Sequence, residues 1–124
     1  MAFSGSTVSL GNLDGARDAF AAEQLSVTTA AVVTLTVATY NPSTKVDDGT
    51  SVNQPANAAL ITQQTATNTV NFTMDGTTPT TGATGIGHTL LTNDNVVVFG
   101  LQNLKNFKMI ATTGTCSVFI TYFR

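Results

Sequence analysis

"FKMIATTGTCSVFITYF", residues 107–123, decides the fold class. Around Thr113-Gly114 it divides into two strand-like halves. In the second half Cys116, Val118, Ile120 and Tyr122 alternate with Ser117, Phe119, Thr121 and Phe123. Strict alternation of this kind puts the two sets on opposite faces of a strand. The first set is a core face. The second carries Phe119 and Phe123 among hydroxyl residues, so it too is apolar enough to need covering, by another segment of this chain or by a second copy of it.

Working backwards, "HTLLTNDNVVVFGL" (88–101) offers two more strands around Asn93-Asp94-Asn95, residues that tolerate the left-handed backbone of a tight turn. "AALITQQT" (58–65) and "VNFTMD" (70–75) read as a hairpin about Ala66–Thr69, with Val70, Phe72 and Met74 on one face and Asn71 and Thr73 on the other. "QLSVTTAAVVTLTVATY" (24–40) alternates Leu25–Val27 and Val33–Leu35–Val37 against threonines, which fits two strands joined by a tight Thr-Ala connection. Between them, residues 41–57 hold Pro42, Gly49 and Pro55 and read as a long loop.

The expected architecture is all-β: an antiparallel β-sandwich, jelly-roll-like, of about eight short strands over residues 23–124. Residues 1–22 precede it as an arm or edge strand, with one or two helical turns expected from Asp14 to Ala22. Such an arm could reach a neighbouring subunit.

Composition limits the function. The 124 residues carry a net charge of −2 with only 10% charged residues, so nucleic acid and anionic lipid find little attraction. Threonine fills roughly one position in five, giving a hydroxyl-rich surface suited to fixed protein contacts, where charges would be costly to desolvate. The single cysteine, Cys116, cannot form an intrachain disulfide, and its apolar setting reads as a buried structural thiol. The opening residues lack the basic and apolar blocks of a secretory signal, and no window approaches a membrane span. The expectation is therefore a reducing, cytoplasm-like place of synthesis and no membrane partner.

"TMDGTTPTTGATGIGHTL" (73–90) poses the one question of chemistry, because its glycines suggest a phosphate cradle. It has no lysine, as a P-loop requires. Its Gly82, Gly85 and Gly87 run G-x-x-G-x-G into a strand rather than G-x-G-x-x-G into a helix. His88 is the only histidine and reads as a hydrogen-bonded structural residue. No serine sits in a G-x-S-x-G elbow, and one His with one Cys cannot close a zinc site. Paired carboxylates among Asp14, Asp18, Glu23, Asp47, Asp48, Asp75 and Asp94 would be needed for glycoside hydrolysis, and all seven fall in apparent loops or the N-terminal segment. The reading is a non-enzyme with no cofactor and no metal.

The order Met-Asp-Gly-Thr-x-Pro-Thr, a glycine turn, "GHTL", and the closing "FKMIATTGTCSVFITYF" resembles a group of small tailed-phage virion proteins of the capsid decoration (cement) type. "EQLSVTTAAVVTLTVATYNP" and "AALITQQT" extend the resemblance over residues 23–124. It departs at Ala111, where relatives often carry a basic residue, and residues 1–22 have no counterpart.

The resemblance implies a subunit made in the host cytoplasm and placed on the outer surface of the capsid. Its partners would be the major capsid protein and itself, as a homotrimer in preference to a homodimer. A head–tail connector, tail or head-fibre base component is the alternative. A carbohydrate-binding adhesion module is a further one, disfavoured because such modules stack sugars on exposed aromatics and this chain has no Trp and only Tyr40 and Tyr122 as tyrosines. Exposure logic assigns Phe3, Val8, Leu10, Phe20, Phe119 and Phe123 to subunit contacts, and Asp75, Thr77, Thr78, Pro79 and His88 to exposed loop contacts.

Overall fold

The computed structural model describes residues 18–45, 51–82 and 84–124. In chain order they form β1 (Ala19–Thr28), β2 (Val33–Thr34), α1 (Val37–Tyr40), β3 (Ser43–Lys45), β4 (Ser51–Asn53), β5 (Ala58–Gln63), β6 (Val70–Thr73), β7 (His88–Leu90), β8 (Asn95–Phe99), α2 (Leu101–Asn106), β9 (Lys108–Ala111) and β10 (Thr115–Phe123).

Eight of the strands make two four-stranded antiparallel sheets. Sheet A runs β1-β10-β5-β8 and sheet B runs β2-β9-β6-β7. The pairings nest: β1 with β10, β2 with β9, β5 with β8, β6 with β7. A folded ribbon of nested pairs, wrapped so that β10 also pairs with β5 and β9 with β6, is a jelly roll. The β-sandwich expected from the alternation is therefore present, with β3 and β4 as an added small hairpin inside the stretch read as a loop.

The final strand is central, bonded on both edges. Its inner residues Cys116, Val118, Ile120 and Tyr122 are fully buried, as the period of two requires. They meet Val27, Ile61 and Val98 of their own sheet and Val70, Phe72, Leu90 and Met109 of the other. The connections close the ends of the core. Phe107 stacks on Phe72 with ring centroids 5.4 Å apart, and Tyr40 of α1 lies 5.9 Å from Tyr122. Cys116 is buried, its Sγ within 3.6 Å of the Thr69 carbonyl, and burial pushes its thiol pKa up. The turns at Asn93, with φ of 63°, and at Gly114 fall where the residues place them.

Three expectations change, and one unread stretch gains an element. Residues 58–65 and 70–75 are not a hairpin: β5 lies in sheet A and β6 in sheet B, and the connection crosses the sandwich. Gln63, fully buried, holds that crossing by donating to the Asn68 carbonyl and accepting from the Thr65 N–H. Residues 19–22 open β1 rather than a helix, because pairing with β10 outweighs the weak helical preference of an Ala-rich run. Val37 belongs to a helical turn, so the second strand of 24–40 ends at Thr34. The six-residue α2, with Leu104 buried, fills a stretch that alternation leaves unread.

Candidate functional site

The two sheets treat their outer faces differently. On sheet B, Asn71 and Thr73 point away from the core yet are 2% and 6% exposed. The segment 74–87 roofs them. Asn71 Nδ2 donates to the Thr80 carbonyl at 2.9 Å and to the Gly82 carbonyl at 3.2 Å, while its Oδ1 accepts from Thr89 Oγ1 at 3.2 Å. Thr81 Oγ1 donates to the carbonyls of Ala111 and Thr112, and Thr73 Oγ1 to that of Thr77. Lys108 Nζ ties down the Gly76 carbonyl at 3.0 Å.

Within the roof, Ile86 N–H donates to Thr80 Oγ1 at 2.7 Å and Thr80 N–H to the Ile86 carbonyl at 3.1 Å. Closing that loop requires glycine at 85, where a Cβ would stand 2.2 Å from the Thr80 carbonyl oxygen. At Gly87, φ is 130° and a Cβ would meet the Phe72 backbone at 3.0 Å. Gly85 and Gly87 serve close packing of backbone on backbone.

Where this roof meets β7 and α2 it leaves an open groove of about 520 Å³, lined in part by Met74, Asp75, Thr77, Ile86, His88 and Asn103. Asp75 Oδ1 accepts from the Thr77 N–H at 3.0 Å. That bond and one from the Thr77 hydroxyl, with a smaller contribution from the charge of His88, hold its carboxyl below the ordinary range. The His88 imidazole is exposed and leans on Phe72, centroids 5.4 Å apart, with no hydrogen-bond partner for its ring nitrogens among the described residues. It is thus an exposed ring and not the hydrogen-bonded structural histidine expected. Asn103, itself exposed, donates its Nδ2 to the Phe99 carbonyl at 2.8 Å. Thr78 is exposed as expected, whereas Pro79 is buried and cannot serve as an exposed loop contact.

The outer face of sheet A has no such roof among the described residues. Cross-strand register brings Phe119 beside Thr62, Thr121 beside Leu60, and Phe123 beside Ala58; Leu60 in turn faces Val97, and Ala58 faces Phe99. Ala58, Leu60, Val97 and Phe123 form a second apolar cluster, separate from the main core. Phe99 and Phe119 stand 40% and 39% exposed. Phe119 is therefore open to solvent, as the alternation implies. Phe123, at 8% exposed, is the floor of the patch and not a presented contact. Phe20 is half-buried: it packs against the main core, with the Arg124 guanidinium 4.2 Å above its ring. Phe3, Val8 and Leu10 lie outside the described residues.

Each of the described acidic residues has its own partners. Glu23 accepts from Tyr122 Oη and from the Thr36 N–H at 3.1 Å, Asp94 accepts from the Leu91 N–H at 3.0 Å, and Asp18 pairs through its backbone with Arg124. Burial, then the Glu23 hydrogen bond and charge, push the Tyr122 pKa far above its ordinary value. Asp14, Asp47 and Asp48 lie outside the described residues. Among the described residues no three His, Cys, Asp or Glu side chains gather to hold a metal, and no helix is long and apolar enough to cross a membrane.

Sequence reasoning missed the groove because Asn103 belongs to the unread α2 and Ile86 sits between two glycines. The only signal was Ile86 itself, a large apolar residue in an otherwise polar loop. No protein-family model, curated protein or solved structure matches the chain.

Proposed function

We propose that this protein is a non-enzymatic virion subunit, a capsid decoration protein that binds the major capsid protein where capsomers meet and associates with its own copies. One observation carries the reading: the outer face of sheet A offers Phe119 to solvent beside the apolar cluster of Ala58, Leu60, Val97 and Phe123. Covering what remains exposed of that ring contributes roughly 1–2 kcal/mol per copy by area burial. That is weak for a single site, and repetition over a symmetric lattice multiplies it into mechanical stabilisation without any chemistry. The surrounding hydroxyl-rich, charge-poor surface keeps the desolvation cost of such contacts low. The phage resemblance of residues 23–124 supplies the partner.

Copy number per purified virion, by quantitative mass spectrometry against the major capsid protein, tests this. A ratio near one-to-one or near one-to-three follows the capsid lattice. A handful of copies moves the protein to the portal or tail, and absence from washed particles overturns the virion reading. Phe119→Asp in the same assay is expected to lower occupancy while the isolated protein stays folded. Unchanged occupancy would remove the outer face of sheet A from the contact.

A further inference from the structure

The groove at the end of sheet B lies apart from the apolar contact face of sheet A, and it gathers Asp75, Thr77 and His88 from the exposed loop contacts. Its volume of about 520 Å³ is within the usual range for small-molecule sites. Its lining pairs hydrogen-bonding groups with apolar walls. Asp75 and the Thr77 hydroxyl oxygen offer acceptors, the exposed Asn103 carboxamide adds a further partner, and the His88 ring supplies both nitrogens and a flat face. Ile86, 55% exposed, and Met74 supply aliphatic surface.

The charge pattern disfavours anions. Among the described lining residues there is no lysine or arginine, and Lys108 donates its ammonium to the Gly76 carbonyl, so a phosphate or carboxylate ligand would face the Asp75 carboxylate with only the His88 ring beside it. A metal ion lacks a ligand set among the described residues. What remains complementary is a neutral molecule with many hydroxyls along its rim and C–H faces above and below.

We infer that this groove binds a neutral saccharide, its hydroxyls bonded to Asp75, Thr77 and Asn103 and its C–H face laid on Ile86 and the His88 ring. The tyrosines Tyr40 and Tyr122 are buried and take no part, so the His88 ring is the aromatic face on which the sugar would stack, which limits the site to weak, millimolar binding. The site is preorganised: the bonds from Asn71, Thr73, Thr80 and Lys108 fix the roof before any ligand arrives, which reduces the ordering cost of binding. The inference is independent of the capsid reading, and either can fail alone.

The test is a titration of the uniformly 15N-labelled full chain, followed by amide chemical shifts. Uncharged methyl glycosides of glucose, galactose and N-acetylglucosamine, together with maltose, cellobiose and lactose, are raised to about 50 mM, enough to reveal a millimolar site. Saturable shifts confined to residues 73–77, 86–88 and 103 are expected with at least one sugar. Ile86→Ser and His88→Ala, both exposed changes, should each weaken that binding about tenfold, and Phe119→Asp should leave it unaltered. Affinity that rises from methyl glycoside to disaccharide marks a glycan chain as the occupant, and equal affinities a free sugar. The inference is overturned by no saturable shift with any of the sugars, by shifts elsewhere on the sandwich, by variants that bind as the parent does, or by tighter binding of inorganic phosphate at the same residues.

Discussion

The outer faces of the two sheets began with the same problem and met it differently. Sheet B carries Asn71 and Thr73 outward and is roofed by its own chain; sheet A carries Leu60, Val97, Phe99 and Phe119 outward and is left open by the described residues. Polar groups on a sheet face can be buried locally, because a neighbouring loop brings carbonyls and N–H groups to satisfy them. An apolar outer face gives a loop's backbone no hydrogen-bond partners, so it suits another apolar surface. A sheet's outward side chains thus decide whether its second face can be closed by a loop of the same chain.

The sharpest way to break that contrast is to compare the two faces of β10. Ile120→Ala removes a fully buried side chain and should cost about 3–4 kcal/mol in urea unfolding. Phe119→Ala, on the open face, should cost the isolated protein about 1 kcal/mol or less. Equal losses would mean that the outer face is as closed as the core.

The roof itself is tested by Asn71→Ala. Three hydrogen bonds disappear at a site 2% exposed, and the loss should be about 2–3 kcal/mol. Amide hydrogen exchange should accelerate at residues 80–86 with little change in β10. If protection falls evenly across both sheets, the roof is not an independent element.

The smallest effect concerns the core's polar seam. Tyr122→Phe removes the hydroxyl bonded to Glu23 and should cost about 1.5 kcal/mol near neutral pH. Because the Tyr122 pKa is raised in the folded state, by burial first and then by Glu23, its contribution is fully present below its ordinary value of about 10 and is lost as pH climbs above it. Stability of the parent should therefore fall between about pH 9 and pH 11, and Tyr122→Phe should flatten that fall. A residual slope is expected from Tyr40, also raised by burial. An identical slope in both proteins would show that the Tyr122 hydroxyl is not the group responsible.

How far the sequence could be read follows from the range of the forces involved. Alternation along residues 116–123 marked the core face residue by residue, because side-chain direction in a strand is a local property. The turns at Asn93 and Gly114 were equally local. The supposed hairpin of residues 58–75 failed because adjacency in sequence says nothing about which sheet a strand joins. Short helices such as α2, below the length at which helical periodicity emerges, left no pattern at all.

The same boundary applies to the sites. The sequence by itself determined that the final strand has two apolar faces, that the glycines of the Thr- and Gly-rich stretch are not spaced as in a phosphate loop, and that only 10% of the residues are charged. Only the tertiary structure decided that Phe123 and Phe20 are packed while Phe119 is open, that Asn71 is the post on which the roof rests, and that Asp75, Ile86, His88 and Asn103 share one groove. Those facts depend on contacts between segments tens of residues apart. Such contacts arise only when nested strand pairs wrap into a sandwich and fix which faces meet.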